Sequence, residues 1–232
     1  MNTMDKRLQD LMVEWKESHI KHGYTSFISD GLVNAEEYKK SSPKICFFLK
    51  EAYSKEKNDG WSLTEWLNAG AMTRMWGSVA EWTYGIQNTT KDSIAIKPQL
   101  SDTEKTDILK KIGIINVKKS NGNSQSSYED LKKFAQGDLQ FLKAELDIIN
   151  PNIIVCGNNS SLLRLLYGAS VQPNGKISSD GLIDLSFLSK NGFGYVEDKI
   201  IIDYYHPANQ YPSKLNYYTV CALYQQALKH KG

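Results

Sequence analysis

The chain predicts an α/β fold, a three-layer sandwich with helices on both faces of a central, mostly parallel sheet of four strands. Short apolar runs alternate with helix-periodic segments, the order that builds a parallel sheet through crossover connections. Three of the four runs are apolar at consecutive positions, as strands covered on both sides must be. With 232 residues, 41% of them hydrophobic, one domain with a substantial core is expected and global disorder is not.

The elements follow in order. Leu8, Leu11, Met12, Trp15 and, more weakly, His19 share one face of a helix over 4–22, within an N-terminal helical extension, residues 1–40. Residues 44–49, preceded by Ser-Ser-Pro, read as the first strand. Helical spacing then runs from Thr64 to about Tyr84 through Trp66, Trp76 and Trp82, broken near Gly70 or Gly77. Ser101-Asp102-Thr103-Glu104 can cap a short helix ending near Lys111. Residues 113–117 form the second strand, and 118–127 a polar loop. One helix is predicted from Tyr128 to Ile149, stopped by Pro151. Residues 152–157 are the third strand, and Asn159 or Ser160 can cap a helix reaching Tyr167. Residues 168–198, rich in Gly, Ser and Asn, read as an insertion or hairpin. Residues 200–204 are the fourth strand, and a closing helix covers 213–229.

Composition narrows the function. The 28 basic and 26 acidic residues leave a net charge of +2, too little to coat nucleic acid, though a local basic groove remains open. Cys46, Cys156 and Cys221 have no zinc-type spacing, and two lie in apolar runs, so buried thiols in a reducing compartment are expected. The four histidines are dispersed, so no metal is expected. Gly157-Asn158-Asn159 completes no dinucleotide fingerprint, and no triphosphate loop is present, so no cofactor is expected. The polar N-terminus lacks a signal-peptide core, and no run approaches the roughly 20 apolar residues that cross a bilayer. A cytoplasmic protein without a membrane partner is the expectation.

Three residues sit at or past predicted strand ends, where α/β sheets place their chemistry. His206, in Tyr204-Tyr205-His206-Pro207-Ala208-Asn209, can donate to an oxygen that becomes anionic as a base departs; a ring that locks the loop against Pro207 is the competing reading. Asn116, inside an apolar strand, offers a donor and an acceptor suited to the edge of a heterocycle; a bond to a neighbouring loop would equally satisfy it. Glu51, at the exit of the first strand, can orient water or support positive charge. Glu56 and Asp59 lie in the same loop, and a solvated charge is the bland alternative for all three. Lys118-Lys119-Ser120 can contact phosphates or simply face water. Trp61, Trp66, Trp76, Trp82 and Tyr84 can stack on bases, but most such rings belong in a core.

These segments, in this order, resemble the uracil-DNA glycosylase superfamily, most closely its branch with a Gly-Glu-Ala-Pro-Gly first motif. Lys50-Glu51-Ala52-Tyr53-Ser54 stands in that motif's place, and Ile115-Asn116-Val117-Lys118-Lys119 is similar to the branch's Asn-Val-Val-Lys-Cys segment. Asn150-Pro151-Asn152-Ile153-Ile154-Val155-Cys156-Gly157 and Tyr205-His206-Pro207-Ala208 match the later motifs. The resemblance covers most of residues 44–229. It implies a four-stranded parallel sheet with the site at the strand C-termini, where a flipped-out base is cut from deoxyribose. It further implies that Asn116 reads uracil, His206 stabilises the leaving anion, Glu51 positions water or supports the sugar cation, and Phe48 or Trp61 stacks on the base. The implied partner is DNA, single-stranded or duplex. The first motif departs from the pattern at Lys50, Tyr53 and Ser54; shifted by one, Glu51-Ala52-Tyr53 aligns with the Asp-Pro-Tyr of the main branch. The branch's iron–sulfur cysteines have no counterparts here. A glycosylase is therefore the first expectation. The alternatives are a non-catalytic module that binds a nucleobase or single-stranded nucleic acid, and a small-molecule enzyme using Glu51 and His206.

Overall fold

In a β-strand successive side chains point to opposite faces, so a run that is apolar throughout must be covered on both. The computed structural model, which describes residues 3–24, 26–52, 60–122, 126–168 and 183–231, follows this logic. Helix α1 (Thr3–Lys21) buries Leu8, Met12 and Trp15 along one stripe. Two short strands, β1 (Ile28–Ser29) and β2 (Gly31–Leu32), then precede α2 (Ala35–Lys40), so the segment expected to be a helical extension also contributes strands. Strand β3 (Ile45–Glu51) leads to β4 (Trp61–Ser62), α3 (Leu63–Asn68), α4 (Arg74–Asn88) and α5 (Asp102–Leu109). After β5 (Ile112–Lys118) come α6 (Tyr128–Gly137) and α7 (Leu139–Ile149), then β6 (Ile153–Gly157) and α8 (Ser160–Leu166). Finally α9 (Leu185–Asn191), β7 (Phe193–Val196), β8 (Lys199–Tyr204) and α10 (Ser213–Lys231) close the chain.

The main sheet is mixed and has six strands in the order β2-β5-β3-β6-β8-β7, not the four expected; β1 and β4 pair separately. The pairs β3/β5, β3/β6 and β6/β8 are parallel, whereas β2/β5 and β7/β8 are antiparallel. The two edge strands escape a reading of apolar runs because one is only two residues long and the other is four residues interrupted by Gly194. On one face Cys46, Phe48, Ile115, Ile154 and Ile201 pack against α1, α6, α7 and α8. On the other, Phe47, Leu49, Ile114, Val155 and Ile202 pack against α3, α4, α5 and α10. Helices on both sides of the sheet thus make the three layers. Each large side chain buried this way contributes about 1.5–3 kcal/mol.

Several boundaries differ from expectation, each for a local reason. Of the two glycines suggested as the break before α4, Gly70 is the one, with φ +92, while Gly77 lies inside the helix. The single helix expected over 128–149 divides at Asp138, whose carboxylate turns away to accept from His19 Nε2 at 2.8 Å. Neither Asn159 nor Ser160 caps α8 with its side chain. Instead the Ser160 hydroxyl donates to Asp203 Oδ2 on β8, which ties the start of the helix to the sheet. In the expected insertion, residues 169–182 lie outside the described residues, and β7 forms a hairpin with β8. Among the described residues no helix is long and apolar enough to cross a membrane.

Candidate functional site

Parallel strands bring their C-terminal ends to one edge, and register decides which side chains meet there. Leu49 on β3 pairs with Asn116 on β5, and Glu51 with Lys118. Gly157 on β6 pairs with Tyr204 on β8, and His206 follows two residues on. By strand alternation Asn116, Leu49 and Gly157 share the face covered by α4 and α10. A row therefore runs across the edge from Asn116 over Leu49 and Gly157 to His206.

His206 reaches this row because residue 157 has no side chain. A Cβ on Gly157 would stand 3.0 Å from His206 Cδ2 and 3.3 Å from Leu49 Cδ2. The Ala208 N–H donates to His206 Nδ1 at 3.3 Å, so the neutral ring carries its proton on Nε2. Burial, reinforced by the Lys50 ammonium, holds the imidazolium pKa down to about 4. The ring is thus a neutral N–H donor at physiological pH. Asn209 secures the loop, with its N and Nδ2 each donating to His206 O at 2.9 Å.

Asn116 is 3% exposed and held by an aspartate that the sequence did not flag. Asp30 Oδ2 accepts its backbone N–H at 2.7 Å and its Nδ2 at 3.0 Å. Asp30 Oδ1 bonds Lys119 Nζ, which also donates to Glu145 Oε2 at 2.8 Å and lies 4.6 Å from the Trp15 ring centroid. The side chains of Lys119, Asp30 and Glu145 are fully buried. Desolvation, and then Asp30, push the Glu145 pKa well above the usual carboxylate range. Burial works against the Lys119 charge, yet the two carboxylates hold its pKa above the ordinary value.

Glu51 lies one same-face rung beyond Leu49, its side chain 5% exposed and 3.3 Å from Lys118 Nζ. A Cβ on Gly122 would sit 2.5 Å from Glu51 Cδ, so the backbone of that loop covers the carboxylate. Lys118 also pairs with Asp130 at 2.7 Å; despite desolvation, Asp130 and Glu51 keep its pKa raised. Two expectations change here. Lys118 ends β5, and Lys119 and Ser120 are 0% and 7% exposed, so this segment is internal and does not present cations to phosphate. Phe48 is fully buried on the opposite face, in the α1/α7 core, and cannot stack on a base in this row. Trp61, half-buried, packs against the core cluster on the same face as the row, and its Nε1 is buried without a hydrogen-bond partner among the described residues. Glu56 and Asp59 lie outside the described residues.

A polar cavity of about 300 Å³ is lined by Arg74, Glu81, Lys105, Asn209, Tyr211 and Asn216 among others, and by none of the row's own residues. Asn209 links it to the His206 loop. Glu145 had a signal, since it interrupts the apolar stripe of Leu142, Leu146 and Ile149 on α7. Asp30, Gly157 and Asp203 had none, because their partners are remote in sequence. No protein-family model and no curated protein matches the chain.

Proposed function

We propose that the protein is a glycosylase of the uracil-DNA glycosylase type, hydrolysing the N-glycosidic bond of uracil or a related damaged base in DNA. The single observation that carries this reading is the neutral His206 with its proton on Nε2, at the end of the same row as Asn116, Leu49 and Gly157. Three strand spacings of about 4.8 Å separate β5 from β8, roughly 14 Å between backbones, enough for side chains and one pyrimidine ring. The base must leave the stack, at a cost of a few kcal/mol, for its glycosidic bond to be reached. Asn116 then reads the base edge, Trp61 supplies an aromatic face, and His206 Nε2–H bonds the oxygen that gains charge. Water adds to the sugar carbon as the C–N bond breaks, and the bonding pair leaves with the base, which takes up the water's proton. Glu51 orients that water or stabilises the sugar cation, with Lys118 fixing the carboxylate.

The test is incubation with a uracil-containing oligonucleotide, followed by alkaline cleavage of abasic sites. His206→Ala is expected to cut excision by about 10²–10³-fold, the usual loss of an oxyanion donor. Asn116→Ala is expected to lower it sharply, and both variants to stay folded. Undiminished excision by the variants would remove these roles.

A second reading is a non-catalytic module binding a nucleobase or single-stranded nucleic acid. It is favoured by Glu51, which is ion-paired with Lys118 and covered by Gly122. Retained oligonucleotide binding with no abasic product would establish it.

A further inference from the structure

We propose that Asp30 is a positioning residue that fixes which way round the Asn116 amide is held, restricting the site to bases with an imide edge, an N–H beside a carbonyl. The substrate half of this inference rests on the base-reading role of Asn116 proposed above. A primary amide has a donor end and an acceptor end of nearly equal shape, so an unconstrained asparagine can turn over and read two opposite edges. Here it cannot. Asp30 Oδ2 accepts from both the backbone N–H and Nδ2 of Asn116. Turned over, Oδ1 would face a carboxylate oxygen, two acceptors without a proton between them in a buried place.

The surrounding charges hold the lock. The other Asp30 oxygen is occupied by Lys119 Nζ, which Glu145 grips from α7 and Trp15 covers from α1. The titratable groups facing Asp30 are thus Lys119, Glu145 and the Cys46 thiol of β3, and all three side chains are closed to water. Among the described residues the Asn116 amide has no other hydrogen bond, which leaves Oδ1 and the second Nδ2 hydrogen for a ligand. An acceptor beside a donor complements N3–H and O4 of uracil or thymine. Cytosine, with an acceptor at N3 and an amino donor at N4, meets like with like at both positions.

Asp30→Asn tests the lock, because an amide at residue 30 can satisfy Asn116 in either orientation. The wild-type protein is expected to prefer uracil over cytosine in otherwise identical oligonucleotides by about 10⁴-fold or more. In Asp30→Asn that ratio falls at least about tenfold, beyond any common loss of activity. Glu145→Gln disturbs the same lysine without touching Asn116 and leaves the ratio unchanged. If Asp30→Asn does not fold, Asp30→Glu keeps the charge for Lys119 while displacing the oxygens, and the ratio falls again. An unaltered ratio in a folded Asp30 variant overturns the inference. Side-chain amide NMR reads the lock independently of any activity. One Asn116 Nδ2 proton is slow to exchange in the wild-type protein and in Glu145→Gln, and fast in Asp30→Asn. Two fast protons in the wild-type protein would overturn the lock alone. A protected proton in a protein with no base preference would overturn the substrate half together with the proposed function.

Discussion

His206 takes its character from burial over Gly157, which has no side chain, and then from Lys50, which repels a second positive charge. The folded ring titrates near 4 against 6.5 for a free imidazole. Between those values an unfolded chain binds a proton that the native ring refuses. Stability from this residue is therefore complete above pH 6.5 and is lost as pH falls toward 4. The shift amounts to roughly 3 kcal/mol, at about 1.4 kcal/mol per unit. Urea unfolding at pH 7 and pH 4 should show that component, and His206→Gln should lack it. Base release, if His206 donates as a neutral ring, should change little from pH 8 to pH 5 on account of this residue. An imidazole that titrates near 6.5 by NMR would refute the buried donor.

At the scale of elements, what could be read in advance was whatever chemistry is local. Ile45 to Leu49, Ile153 to Cys156 and Ile200 to Ile202 announce covered strands, and Ser101 with Glu104 forms the capping box its spacing suggests. Elements governed by distant partners were not legible. Lys118 and Lys119 look like a loop because nothing nearby accounts for a buried ammonium; Asp30 lies 89 residues away and Glu145 26. The division at Asp138 likewise depends on His19, 119 residues back. The two glycines near α4 form a matched test of local reasoning. Gly70→Ala forces a side chain into the left-handed region and should cost about 1–2 kcal/mol. Gly77→Ala, in the helix with only Lys105 Cδ 3.9 Å from the new Cβ, should gain up to about 1 kcal/mol. Opposite shifts of the urea midpoint are expected, and equal shifts would contradict the assigned break.

For the molecule as a whole, the burial of Lys119 removes a cation from any account of nucleic-acid attraction, in a chain whose net charge is only +2. Lys119→Met leaves the buried Asp30 without its counterion and Glu145 without its hydrogen-bond donor, and should cost about 3–5 kcal/mol of stability. Provided the variant is measured where it is folded, the slope of log affinity against log salt for an oligonucleotide should match that of the wild-type protein, because that slope counts phosphates neutralised. A shallower slope in Lys119→Met would return this lysine to the surface. The same carboxylate that steadies Asn116 has one more consequence. Strand β2 covers β5 only at Gly113 and Ile114, and beyond it Asp30 Oδ2 takes the Asn116 N–H while Lys119 O takes that of Ile28. The outer side of β5 is thus met in turn by a two-residue strand, a side chain and a crossing segment, which leaves less of that strand's ladder for a second molecule to pair with.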